Sequence, residues 1–156
     1  MSQLTLSSID SSLVEEISSK RNEPDWLKEY RKNSLSIYRD LPVEVSPLYN
    51  KYTDARRMNP EQVSLSTSSD SSVPDFLAKR LDEIKNEISI VQIGSNIYSI
   101  NVNDELKSKG LVISSLDDAL QSHSELIQKT LEDSNSKEDK YTALNNAAFN
   151  SGIFVY

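Results

Sequence analysis

The stretch Ile88-Ser-Ile-Val-Gln-Ile-Gly-Ser-Asn-Ile-Tyr-Ser-Ile-Asn-Val102 decides the fold class of this sequence. It contains two runs rich in β-branched residues, and Gly94-Ser95 stands between them. Glycine accepts the positive φ that a two-residue hairpin turn requires, so the stretch predicts a β-hairpin. Because helical periodicity precedes and follows it, the predicted fold class is α+β.

Two helices are predicted before the hairpin, in a helical N-terminal part. The first has its apolar residues on one face and is expected to start near Ser7 or Ser8 and to end at Asn22 in the left-handed conformation. The second follows Pro24, which suits a first helical turn. Its apolar stripe contains Trp26, Leu27, Tyr30, Ile37 and Tyr38, and its polar side carries Lys28, Arg31, Lys32 and Arg39.

Further elements are predicted around the hairpin. A helix begins at Pro74, and a short helix over 104–109 ends at Gly110. A third strand is predicted over 111–113, and Ser115 is expected to cap a long helix over 116–131. A last helix is predicted to end at Gly152, and residues 153–156 carry a strand pattern.

A serine-rich stretch over 59–72 interrupts this periodicity and predicts a flexible linker, because it offers no apolar side chains for a core. The charge changes there too: residues 1–57 carry nine basic and nine acidic residues, and residues 58–156 carry eight and fifteen. The expected organisation is a helical segment over 1–58, a linker over 59–72, a small α+β domain over 73–151 and the start of a further core over 152–156.

The final residues Ile153-Phe-Val-Tyr156 form an apolar stub. Such a stub is expected of a chain cut within a domain, and the alternative is a native terminal strand held in a sheet. In a cut chain, one face of the stub stays exposed and residues 152–156 are frayed or held by another molecule.

The composition limits the possible functions. There are no cysteines, so no thiolate can hold zinc or an iron–sulfur cluster. The net charge of −7 disfavours nucleic acid as a partner. The N-terminus lacks the pattern of a signal peptide, and no apolar run is long enough to span a bilayer. A cytoplasmic protein without membrane contact is expected.

A search for catalytic, cofactor-binding or metal-ligating residues identifies none. His123 has no second histidine to form a metal pair, and the three glycines lie too far apart for a phosphate-binding loop. Adjacent carboxylates on helices, such as Asp117 and Asp118, point about 100° apart and do not converge. Arg56 and Arg57 beside Asp54 could bind a phosphate or an acidic partner, or they could be plain surface. The chain is therefore not expected to be an enzyme or to bind a cofactor.

Three stretches resemble the N-terminal region of the SufB/SufD family. The first is Ile17-Ser-Ser-Lys-Arg-Asn-Glu-Pro-Asp-Trp-Leu27, which is similar to the family pattern I-S-x-K-x-x-E-P-x-W. The second comprises Leu106-Lys-Ser-Lys-Gly-Leu-Val-Ile113 and Asp117-Asp-Ala-Leu120. The third comprises Asp139-Lys-Tyr-Thr-Ala-Leu-Asn-Asn-Ala-Ala-Phe149 and Gly152-Ile-Phe-Val-Tyr156.

The resemblance implies an N-terminal piece of a scaffold protein of SUF iron–sulfur cluster assembly, with a right-handed β-helix core starting near residue 152. It implies a structural or protein-docking role, with a SufB or SufD subunit and the SufC ATPase as partners, SufC binding through a more C-terminal part. The family's cluster chemistry lies in the core. The alternative is a self-contained protein-interaction module or regulator.

Overall fold

The computed structural model describes residues 4–5, 9–43, 45, 54–60, 64–65, 73–133 and 139–156. Its helices are α1 Ser11–Arg21, α2 Asp25–Asp40, α3 Asp75–Glu83, α4 Asp104–Ser108, α5 Leu116–Ser122, α6 Ser124–Asp133 and α7 Lys140–Ala148. Its strands are β1 Leu4–Thr5, β2 Ser64–Leu65, β3 Ser89–Ile93, β4 Asn96–Asn101, β5 Ile113–Ser115 and β6 Ile153–Val155. A 3₁₀ turn covers Ala55–Arg57. The α+β expectation is confirmed.

The chain forms two compact units, and each draws on two separate stretches of sequence. The described residues between 4 and 65 pack with 123–149, here called the helical unit. Residues 73–122 pack with 150–156, here called the mixed unit. Most of the linker predicted for 59–72, namely 61–63 and 66–72, lies outside the described residues. The expected four-part division therefore stays a prediction.

Helix α1 begins later than the sequence pattern predicts. Its first residue is Ser11, and the carboxylate of Asp10 accepts a hydrogen bond from the backbone N–H of Ser12 at 2.8 Å. This N-cap satisfies a backbone donor that the first turn leaves without a partner, so the expected start at Ser7 or Ser8 is wrong. The predicted end is confirmed, because Asn22 adopts φ 49° and its N–H reaches Ser18 and Ser19 carbonyls.

The core of the helical unit forms where α1, α2 and α7 pack together. Small residues on α7, Ala143 and Ala147, are fully buried and allow a close approach of this helix. Around them lie buried aliphatic side chains from α1 and α2: Leu13, Val14, Ile17, Leu27 and Leu35. This packing joins the predicted N-terminal helices to a helix more than 100 residues later in the sequence.

The predicted hairpin is present in the mixed unit. Strands β3 and β4 pair antiparallel from Ser89 opposite Asn101 to Ile93 opposite Asn96, with an irregularity between Val91 and Gln92. Gly94 adopts φ +60° in the turn, which is the conformation that the sequence prediction requires. Both the position and the turn of this hairpin are thus confirmed.

The C-terminal residues form a second small sheet in this unit. Strand β6 pairs antiparallel with β5, and Phe154 lies opposite Ser114. Val112 and Tyr156 exchange two further backbone hydrogen bonds of 2.8 and 2.9 Å. The third strand therefore lies over 113–115 and not over the predicted 111–113. For residues 152–156, the expected fraying is wrong because backbone pairing within the chain holds them, and the alternative of contact with another molecule stays a prediction.

The long helix predicted over 116–131 is two helices, and His123 separates them. Helix α5 belongs to the mixed unit and α6 to the helical unit, so the chain passes from one unit to the other at this break. Helix α7 ends at Ala148, four residues before the predicted Gly152. Gly152 lies against Leu116 instead, and an added Cβ would meet the Leu116 Cδ2 at 3.0 Å.

Candidate functional site

The segment Ile17–Leu27 forms the turn between α1 and α2 around a buried carboxylate. The side chain of Glu23 is 0% exposed. Its Oε2 accepts a hydrogen bond from the Ser18 hydroxyl at 3.1 Å, and its backbone N–H donates to the Ser18 carbonyl at 3.1 Å. One side-chain and one backbone hydrogen bond between Ser18 and Glu23 thus stabilise the turn.

Arg31 neutralises this carboxylate from the next turns of α2. Its Nε donates to Glu23 Oε2 at 2.8 Å and its Nη2 donates to Oε1 at 2.7 Å, which is the bidentate geometry of a strong charge-assisted pair. The side chain of Arg31 is also 0% exposed. The expectation that Arg31 belongs to the polar side of the helix is therefore wrong, and this residue was missed as part of the site.

The remaining donors of Arg31 connect α2 to the end of α7. Nη1 donates to the carbonyl of Ala147 at 3.2 Å, and the guanidinium lies 4.0 Å from the centre of the Phe149 ring. A cation at a helix C-terminus also interacts favourably with the helix dipole. A guanidinium supplies these directed contacts together, whereas a lysine ammonium cannot form the same planar fork.

Two other sets of polar contacts link the helices of the helical unit. The indole N–H of Trp26 donates to the Ser124 hydroxyl at 2.9 Å, which ties the start of α2 to α6. Lys140 donates to the carbonyls of Tyr38 and Leu41, the latter at 2.8 Å, and so ties the start of α7 to the end of α2. Because the Glu23–Arg31 pair is closed to solvent, this arrangement stabilises the unit and offers no access to a substrate.

The residues that the sequence suggests for chemistry do not converge. His123 is partly buried at the break between α5 and α6. Arg56 forms a bidentate pair with Asp54 at 2.7 and 2.9 Å, and the pair lowers the pKa of this carboxyl. Within the described ranges, no group of three or more histidine or acidic side chains is placed to hold a metal ion.

The adjacent carboxylates lie on exposed helix surfaces. Lys28 lowers the pKa of Glu15 by hydrogen bonding to it. Asp118 accepts a hydrogen bond from the Ser115 hydroxyl at 2.6 Å, and its N–H donates to the same hydroxyl at 3.1 Å. This confirms Ser115 as the cap that starts α5. Among the helices that the structure describes, none combines the length and apolar character needed to cross a bilayer.

The mixed unit carries an accessible apolar surface. In β6, Ile153 and Val155 are exposed on one face, and Phe154 on the other face is partly buried. The expectation that one face of this strand stays exposed is confirmed. A groove of about 360 Å³ has a mostly aliphatic lining of Ile100, Val102, Lys107, Leu111, Val112 and Ile113. Apart from Lys107, the residues that line this groove are aliphatic.

Comparison with known proteins identifies relatives that align with nearly the whole chain. The chain is 32% identical over 155 residues to the iron–sulfur cluster assembly protein SufD of Bacillus subtilis, an alignment that covers 96% of this chain. It is 27% identical over 161 residues to an iron–sulfur cluster assembly SufBD family protein of Staphylococcus aureus, covering 92% of this chain. The chain belongs to the SufB/SufD family.

The resemblance of the chain to the SufB/SufD family is thereby confirmed. The chain spans about a third of the length of these relatives, namely 35% of the SufD protein and 33% of the S. aureus protein. No family model matches the chain, and no solved structure matches it. Both relatives are named as iron–sulfur cluster assembly proteins.

Proposed function

We propose that this chain is the N-terminal region of a SufB/SufD-type scaffold protein and has a structural or protein-docking role in iron–sulfur cluster assembly. The observation that carries this function is the alignment to SufD, which extends over 96% of the chain and only 35% of the relative. The chain thus corresponds to one part of a longer assembly protein. The three segments that resemble the family's N-terminal region favour its first part.

The internal architecture is consistent with a supporting role. The segment Ile17–Leu27 encloses the buried Glu23–Arg31 pair, and such a centre stabilises a unit without acting on a ligand. Strand β6 leaves Ile153 and Val155 exposed, as expected where a following strand of a β-helix core would pack. Residues 152–156 are accordingly proposed as the start of that core.

In this role the chain has no catalytic residue, binds no cofactor and contributes no ligand to the cluster. Its lack of cysteine supports this, because thiolates are the usual protein ligands of iron–sulfur clusters. The proposed partners are a SufB or SufD subunit and the SufC ATPase, the latter through a part beyond residue 156. The proposed location is the cytoplasm, without contact to nucleic acid or membrane.

The reading frame beyond codon 156 tests this function directly. We expect it to continue for about twice the present length and to encode many short β-branched strands separated by turns, which is the pattern of a β-helix. A stop codon immediately after Tyr156 would contradict the N-terminal assignment and would favour a self-contained interaction module.

A binding measurement then tests which part of the longer protein binds SufC. Purified SufC from the same organism is expected to co-elute with the longer protein in size-exclusion chromatography. The chain of residues 1–156 is the matched control and is expected to elute without SufC. Stable binding of SufC to residues 1–156 would show that the proposed division of roles is wrong.

A further inference from the structure

Helix α3 of the mixed unit buries none of its nine residues completely. A nine-residue helix is too short to be stable by itself in water, and most helical stability in proteins comes from packing of one face. No side chain caps the N-terminus of α3. Packing and capping by the residues that the structure describes therefore contribute little to the stability of this helix.

The side chains of α3 separate into two faces. Leu77, Leu81 and Ile84 recur at helical spacing and are partly buried, so this stripe is directed at the protein. Phe76 lies about 100° around the helix from Leu77. Its side chain is left in solvent, and the residue is 80% exposed, the highest exposure among the exposed large hydrophobic residues that the structure describes.

Two basic residues lie one helical turn after Phe76. Lys79 and Arg80 follow it at spacings of three and four residues, which places them next to the phenyl ring on the helix surface. Arg80 Nη1 lies 2.9 Å from Glu83 Oε2, but this pair is well exposed and holds the guanidinium only weakly. An aromatic ring flanked by two cations is therefore presented to solvent.

We propose that α3 is a docking helix, with Phe76 as its anchor, for a protein surface that has an apolar pocket bordered by carboxylates. The pocket would cover the phenyl ring, and the carboxylates would pair with Lys79 and Arg80. Aromatic anchors in pockets supply a large share of binding energy at protein interfaces. This inference rests on the proposed assembly role and deepens it by naming the surface and the chemistry of its partner.

Site-specific cross-linking identifies the partner. The photoreactive residue p-benzoylphenylalanine replaces Phe76 in the natural protein inside its own cells, and the same residue at Tyr98, which is also exposed, is the control. The expected result is a cross-link from position 76, absent from position 98, to a pocket with Asp or Glu at its border. A cross-link to a second copy of this chain, or to a neutral surface, would overturn the proposal, as would no cross-link.

Binding of the purified cross-linked partner provides the quantitative test. Phe76→Ser is expected to weaken binding about tenfold or more, because it removes the anchor. The pair Lys79→Gln and Arg80→Gln is expected to weaken binding and to reduce its salt dependence, because fewer ion pairs remain to be screened. Tyr98→Ser is the matched control and is expected to bind as the wild type does.

The two hypotheses fail in different ways in this experiment. Unchanged binding of Phe76→Ser would refute the docking helix and leave the assembly function intact. Docking through Phe76 to a protein outside iron–sulfur cluster assembly would refute the proposed function and leave the docking helix intact. Because Phe76 is so exposed, its replacement is expected to leave the far-ultraviolet circular dichroism unchanged.

Discussion

Arg31 and Lys32 are neighbours on α2, but they occupy opposite environments. Arg31 is fully buried with Glu23, whereas Lys32 forms exposed pairs with Glu15 and Glu29. Replacing Arg31 with methionine would remove the bidentate partner of the buried Glu23 carboxylate and leave only Arg21, whose Nε lies 3.7 Å from Glu23 Oε1. Arg31→Met is therefore expected to lower the free energy of unfolding by about 3 kcal/mol. Urea denaturation followed by circular dichroism measures this loss.

Lys32→Met is the matched control, because it removes a charge from the adjacent position on the same helix. Exposed pairs contribute about 0–1 kcal/mol, so only a small loss is expected. Equal losses for the two variants would show that the Glu23–Arg31 pair is not the centre of the unit. The double replacement Glu23→Gln and Arg31→Met is expected to cost less than Arg31→Met alone, since no carboxylate remains buried without its bidentate partner.

Two buried serines allow a second comparison between single residues. The hydroxyl of Ser34 is buried and has no hydrogen-bond partner among the residues that the structure describes, whereas the hydroxyl of Ser18 donates to Glu23. Ser34→Ala is therefore expected to raise the free energy of unfolding by about 0.5–1 kcal/mol, because it removes a desolvated polar group. Ser18→Ala is expected to lower it by about 1.5–3 kcal/mol. The reverse order of these changes in urea denaturation would contradict the assigned contacts.

At the scale of one element, Asp139 determines how α7 begins. Its carboxylate accepts hydrogen bonds from the backbone N–H groups of Tyr141 and Thr142, both at 2.8 Å. Bonds from the hydroxyl and amide of Thr142, with the amide of Tyr141, lower the pKa of Asp139. Asp139→Ala is expected to cost about 0.5–2 kcal/mol at neutral pH, the usual effect of losing an N-cap.

The sign of the pH dependence follows from this lowered pKa. A carboxyl with a lowered pKa in the folded state stabilises the protein above its ordinary pKa, which is about 3.9 for aspartate. The contribution is lost as the pH falls below that value through the folded pKa. Asp139→Asn retains a capping oxygen without this titration. The difference in the free energy of unfolding between Asp139→Asn and the wild type is thus expected to shrink from pH 7 to pH 3. A difference that stays constant with pH would contradict the role of Asp139 as a charged N-cap.

The elements whose signals are local were predicted well. Gly94 supplies the turn of the hairpin, Asn22 ends α1, and Ser115 caps α5, and each of these acts within a few residues of its own position. The break at His123 escaped prediction because the apolar periodicity of 116–131 continues through it. The two halves of that pattern pack in different units, and periodicity alone does not reveal which neighbour an apolar face contacts.

For the whole molecule, the chain is expected to assemble no iron–sulfur cluster by itself. It has no cysteine and a single histidine. Incubation of residues 1–156 with ferrous iron and sulfide under anaerobic conditions, followed by desalting, is expected to leave no stoichiometric absorbance band in the visible range. A band with about one cluster per chain would show that other side chains provide the ligands.

The sequence by itself determined the α+β class, the hairpin, most helix positions and the resemblance to the SufB/SufD family. These features depend on residue type and on spacing over a few residues, and such information is local. Only the tertiary structure decided that Arg31 is buried with Glu23, that α7 packs against α2, and that β6 pairs with β5. Each of these features depends on a partner that is distant in the sequence, or on which side of a helix faces the core. The free energy gained by burying apolar surface depends on contacts that exist only in the folded chain, and so does the pairing of buried charges. Residue type and local spacing therefore do not predict these partners.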